Sequence, residues 1–207
     1  MILILILALA AQDPAPPARA PGRQAFQEPP QISEVVGDPE AVLISPPFRG
    51  MFLCGEHAWG DSPMAGDALG TDCMPTQRPD GVVRLYRTDG LTNEDWYGWG
   101  VEVLAPFDGE VVGAYANATV NAVGTRGRPP AGMIQIRRAD GVIASFAHVV
   151  DYRVQAGDRV TSGQPIALVG NNGPSFGPHV HIGLYRGTVP LQIRWDQRAM
   201  RALRPAD

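Results

Sequence analysis

The sequence predicts an all-β fold: an antiparallel sandwich or half-open barrel with irregular insertions. Three observations predict it. Twenty prolines and 24 glycines among 207 residues call for many turns and few long helices. From Ala41 onward, short apolar runs alternate with turn signals, as an antiparallel sheet requires. No long 3.6-residue periodicity interrupts that pattern. The length suffices for one domain with a substantial core.

The elements follow in chain order. Residues 1–11 form an apolar run ending in Ala8-Leu9-Ala10-Ala11, which holds an A-x-A type cleavage site and reads as a short export signal. It is shorter than a membrane-spanning helix needs, so no stable membrane insertion is expected once it is removed. Residues 12–40, with Pro14-Ala15-Pro16-Pro17 and Glu28-Pro29-Pro30, lack the apolar content of a core and read as an extended linker. Residues 41–207 form the expected β domain. Its strand candidates are 41–44, 82–87, 101–104, 110–115, 133–138, 142–148, 164–169 and 179–185. Ala139-Asp140-Gly141 suits a hairpin turn between two of them. Asn117 to Pro130 gathers Asn, Gly and a Pro-Pro pair and is expected to be loop. A short helix is expected around Gln197 to Leu203.

Charge narrows the function. The net charge is −4 and the pI is about 5.5, so there is no basic footprint for nucleic acid. All 17 cationic residues besides histidine are arginine. Without a lysine, the chain cannot be a biotinyl or lipoyl carrier domain, although Ala105-Pro106-Phe107-Asp108-Gly109 would suit that sandwich.

Two of the four histidines stand on alternate residues in Gly177-Pro178-His179-Val180-His181-Ile182. In a strand they point the same way, while Val180, Ile182 and Leu184 share the other face. Two imidazoles on one side of a rigid strand make half of a metal site; an exposed edge-strand pair is the plainer alternative. His148 ends an alternating apolar segment, and His57 precedes Asp61, Asp67 and Asp72. Two cysteines, Cys54 and Cys73, flank that stretch. In an exported protein they suit one disulfide; two buried free thiols are the alternative.

Three blocks give the chain a family resemblance. They are Leu104-Ala105-Pro106-Phe107-Asp108-Gly109-Glu110-Val111-Val112, then Ala156-Gly157-Asp158-Arg159-Val160 with Gly163-Gln164-Pro165-Ile166, then Gly170-Asn171-Asn172-Gly173-Pro174-Ser175-Phe176 running into Gly177-Pro178-His179-Val180-His181. In this order they resemble the lysostaphin-type zinc metallopeptidases, which cut peptide bonds in bacterial cell walls. The resemblance spans roughly Gly55 to Tyr185 and is most specific in its last block.

The resemblance implies a zinc cofactor, a peptidoglycan peptide as substrate and an extracytoplasmic location, in the periplasm or outside the cell. It makes His57 and His181 metal ligands and His148 and His179 the catalytic imidazoles. For the third ligand the sequence favours Asp67, in an apolar stretch, with Asp61 and Asp72 as rivals. Asp61 has the family's His-x-x-x-Asp spacing but is followed by Ser62-Pro63, a poor strand start. Asp72 has its Gly-x-Asp order but lies further from His57. Three protein ligands would leave a position for water, which zinc acidifies toward neutrality. His148 and His179 would then move protons and stabilise the oxyanion.

Trp59, Trp96, Tyr97 and Trp99 are expected either to wall a cleft or to pack down the long stretch between Asp72 and Val101. Gly183 departs from the family, which often has an acidic residue there. The alternative function is a non-catalytic cell-wall protein that activates a partner hydrolase; such proteins generally lack ligand residues.

Overall fold

The computed structural model describes residues 28–32 and 37–204; the export signal expected at 1–11 and most of the expected linker lie outside these. The fold is all-β with one short helix. Twelve strands run in chain order: β1 (Ala41–Ile44), β2 (Phe52–Glu56), β3 (Thr71–Pro75), β4 (Glu102–Leu104), β5 (Gly109–Tyr115), β6 (Met133–Arg137), β7 (Ile143–Ala147), β8 (Val149–Val150), β9 (Arg159–Val160), β10 (Pro165–Val169), β11 (Val180–Arg186) and β12 (Val189–Trp195). Helix α1 (Gln197–Ala202) follows, capped by the Asp196 carboxylate, which accepts from the amides of Arg198 and Ala199.

A curled nine-stranded sheet has the order β1-β12-β11-β7-β6-β5-β9, and β3 pairs with β11 and with β2. A smaller sheet, β4-β10-β8, lies across it. Apolar side chains of both, including Ile134, Ile136, Phe146, Ile182 and Leu184 with Val103, Ile166 and Val169, form one buried cluster. The expected antiparallel pattern holds along the large sheet, but β1 runs parallel to β12 at its edge. As the alternation in the sequence requires, Val180, Ile182 and Leu184 are buried on one face of β11.

Two expectations are corrected. Residues 82–87 form no strand; Arg84 and Tyr86 make only isolated bridges to Gln77 and Trp96. Val82 is 56% exposed, so its β-branched side chain has no sheet surface to pack on, and propensity alone does not make a strand. The strand placed at His179 begins one residue later, although His179 bridges to Gly170. The segments 117–130 and 139–141 lie outside any strand, as expected.

The site is positioned by the middle of the large sheet. β11 is flanked by β7 on one edge and, along its first half, by β3 on the other. His181 stands directly opposite Asp72 on β3 and Ala147 on β7. β3 is tied to β2 by the Cys54–Cys73 disulfide, so the expected bridge forms and closes the loop that carries His57, Asp61, Asp67 and Asp72. Residues 28–32 do not hang free: Ile32 N–H donates to the Pro63 carbonyl, Ala65 N–H donates to that of Pro30 (both 2.8 Å), and Gln31 bridges to Met64. Among the described residues, no helix is long and apolar enough to cross a membrane.

Candidate metal and catalytic centre

All four histidines converge on one cleft of about 830 Å³, whose lining includes His57, Asp67, Asp72, His148, His179 and His181. The His57 and His181 rings are 5.0 Å apart, and the His148 and His179 rings 4.6 Å. Ligand atoms of His57, Asp67 and His181 lie within 4.8 Å of one another. Asp61 is not brought in: its carboxylate accepts from the Ala58 amide in its own turn.

Each imidazole has one ring nitrogen within bonding distance of a main-chain carbonyl. For Nδ1 the partners are the carbonyls of Asp67 for His57 (3.2 Å), Asn172 for His148 (2.8 Å) and Gly177 for His179 (2.8 Å). For His181 it is Nε2, 3.3 Å from the Gly66 carbonyl. A carbonyl only accepts, so each of these nitrogens carries the proton and donates it. The opposite nitrogen of each ring is then the one with a lone pair to offer. Three of those four meet at a single oxygen: Oδ1 of Asp72 is 3.6 Å from His57 Nε2, 3.6 Å from His179 Nε2 and 3.0 Å from His181 Nδ1.

Asp67 approaches from the other side. Its Oδ1 is 3.2 Å from His57 Nδ1 and 3.2 Å from His181 Nε2, the nitrogens already directed at carbonyls. Both carboxylates therefore sit at distances that suit donors around a tetrahedral ion, about 3.4 Å apart for bonds of about 2.1 Å. The direction of the proton-free nitrogens separates them, and it points to Asp72.

Local structure accounts for the ring placement. His148 follows β7 with φ of 65°, the left-handed region that non-glycine residues enter at a cost and often at functional sites. The fully buried Asn172 holds it there. The Asn172 side chain accepts from Gly132 N–H at 2.6 Å and donates to the Val149 carbonyl at 3.1 Å, while its own carbonyl takes the His148 proton. Asn172 belongs to a sequence block singled out above, yet its buried side chain was not separable there from an ordinary turn asparagine.

The other positioning contact involves glycines. A Cβ on Gly183 would lie 1.6 Å from the Gly66 carbonyl oxygen, and one on Gly70 would lie 2.4 Å from His181 Cε1. The departure at Gly183 thus has a physical reason: the segment carrying Gly66 and Asp67 lies against β11 where a side chain would project.

Burial sets the charge states. It pushes His148 down to about 3, reinforced by the neighbouring His179, so this imidazole is neutral near pH 7. His179 is also pushed down, by burial above all, against the pull of Asp72. Burial opposes the charged form of Asp72, but the His181 hydrogen bond and the imidazoles of His179, His181 and His57 outweigh it and hold the carboxyl well below the usual range. Of the four aromatic candidates for a wall, Trp96 lines the cleft. Tyr97 instead packs under the Arg87 guanidinium at 4.8 Å.

Residues 97–193 match the family described as peptidase family M23. The match takes in His148, His179 and His181 and stops short of His57 and the aspartates, which the fold brings to the same cleft. No curated protein matches the chain. Among solved structures, the catalytic domain of the prophage-encoded M23 protein EnpA from Enterococcus faecalis is 23% identical, covering 72% of this chain and 93% of that one at a TM-score of 0.46. The catalytic domain of lysostaphin from Staphylococcus simulans is 21% identical, covering 68% of this chain and 88% of that one at a TM-score of 0.43. The SpoIIQ–SpoIIIAH pore-forming complex holds a chain 22% identical, covering 65% of this chain and 66% of that one at a TM-score of 0.41.

Proposed function

Because the chain belongs to peptidase family M23 through residues 97–193, we propose that it is a zinc-dependent endopeptidase acting on peptide bonds of peptidoglycan cross-links outside the cytoplasm. The observation that carries this reading is the common orientation of the four imidazoles, each with one nitrogen turned to a carbonyl and the other left to bind or to exchange a proton. A protein that only activated a partner hydrolase would have no use for that arrangement. The Cys54–Cys73 bridge supports an oxidising compartment, and an export signal over 1–11 belongs to the same reading.

In this proposal His57 through Nε2, His181 through Nδ1 and Asp72 hold the ion. Asp67 and the Gly66 carbonyl take the outward-facing N–H groups of the two histidines, as outer partners of metal ligands commonly do. The sequence favours Asp67 as the ligand; the proton directions move that role to Asp72. Zinc, when bound, polarises a carbonyl and acidifies a water. The remaining chemistry belongs to this chain: neutral His148, with Nδ1 fixed on Asn172, has its Nε2 available to take a proton. His179, fixed on Gly177, offers a second exchangeable site in the same cleft.

The test is zinc content together with digestion of purified peptidoglycan followed by mass. The full chain is expected to bind one zinc and release cross-link peptides. His179→Ala is expected to keep zinc and lose most turnover, and His181→Ala to lose the metal. Equal zinc occupancy in the two variants would overturn the assignment.

A further inference from the structure

Apart from the imidazoles, Arg126 is the one cationic side chain among the described residues that line the cleft. It is exposed, and among the described residues it takes part in no ion pair or hydrogen bond. Other arginines are satisfied: Arg84 pairs with Asp80, Arg138 with Asp140, Arg153 with Glu102 and Arg186 with Glu40. The carboxylate of Glu28 lines the same cleft without reaching Arg126. Much of the remaining lining is apolar, including Met64, Met74, Met133 and Val123.

Arg126 is not on a loose loop. Asn121, five residues earlier, is buried, and its side-chain amide donates to the carbonyls of Gly173 (2.9 Å) and Ser175 (3.0 Å), both in the turn before His179. Its carbonyl accepts from the side chains of Asn93 and Asn171. Gly124 N–H donates to the Phe176 carbonyl at 2.7 Å. At Gly127 a Cβ would lie 2.2 Å from Asn121 Oδ1 and 2.6 Å from the Gly173 carbonyl, so the chain beside Arg126 is held tightly against that turn. A fixed, unpartnered guanidinium over an apolar cleft is built to receive a planar anion in two parallel hydrogen bonds.

We propose that Arg126 selects the substrate, pairing with a free carboxylate on a peptide that lies across the four imidazoles. The inference rests on reading this cleft as a peptidase site. It assigns the substrate class more narrowly: peptides carrying a carboxylate near the scissile bond are preferred over uncharged peptides such as oligoglycine.

The experiment uses cross-linked peptide dimers released from bacterial wall, in native form and with every carboxyl converted to carboxamide. With the zinc-loaded full chain, kcat/KM is expected to be about tenfold higher for the native dimer. Arg126→Gln should abolish that ratio by slowing the native dimer while leaving the amidated one and the zinc content unchanged. Arg126→Lys should retain part of the preference, and Arg126→Glu should reverse it. Equal kcat/KM for the two dimers in the unmodified protein, or a preference that survives Arg126→Gln, would overturn the proposal and leave the peptidase reading standing. If neither dimer is cleaved, the peptidase reading fails, and calorimetric Kd values for the same dimers decide on Arg126 by the same ratios.

Discussion

At the scale of single residues, the two aspartates beside the histidines make opposite predictions. Removing the charge of a direct ligand costs the ion, whereas removing an outer partner lowers metal affinity by about 10–100-fold. Asp72→Asn is therefore expected to lose zinc in dialysis against a weak chelator. Asp67→Asn should keep it with an affinity weakened by about tenfold or more. Zinc retained by Asp72→Asn and lost by Asp67→Asn would return the ligand role to Asp67. The four imidazoles were legible in the sequence because the chain holds no others and two of them alternate on a strand. The carboxylate was not, because three aspartates follow His57 within 15 residues. Only the pairing of β3 with β11 sets Asp72 opposite His181, and no local pattern encodes that pairing.

At the scale of elements, the centre depends on one close contact, Gly183 of β11 against the Gly66 carbonyl. Gly183→Ala must push the two apart by more than an ångström. The Gly66 carbonyl then leaves His181 Nε2, and that ring loses its orientation. The expected result is a drop in zinc affinity of tenfold or more together with a lower Tm. Calorimetric zinc titration and thermal melting check both, and an unchanged affinity would show that the contact is not needed. Strands with strong alternation, such as β6, β7 and β11, were readable to within a residue or two. β2 and β3 were not: Phe-Leu-Cys-Gly-Glu and Thr-Asp-Cys-Met-Pro carry little β-branched character, and their pairing is held by the Cys54–Cys73 bridge and by contact with β11. Residues 82–87 err the other way, with a fitting composition and no sheet edge to join.

At the scale of the whole molecule, a histidine held neutral by burial links stability to pH. His148 titrates near 3 when folded, against an ordinary 6.5. Its contribution is complete above pH 6.5. Between pH 6.5 and 3 the unfolded chain binds a proton that the folded one does not, so stability falls as the pH is lowered, by at most about 1 kcal/mol per pH unit. Urea unfolding of the chelator-treated protein at pH 7, 6 and 5 should show this loss. His148→Asn, which tolerates the same backbone angle, should show a shallower one; identical slopes would mean that His148 is not the group responsible.

The carbonyls that seat the four rings belong to the main chain, and no point substitution can delete them. Amino-acid exchanges at 66, 67, 172 or 177 that preserve the local path would spare the acceptors, whereas a single-residue insertion or deletion nearby would shift them out of reach. Tolerance in this protein is accordingly governed by segment length more than by residue identity, so a deletion scan of these turns would map the centre more sharply than an alanine scan.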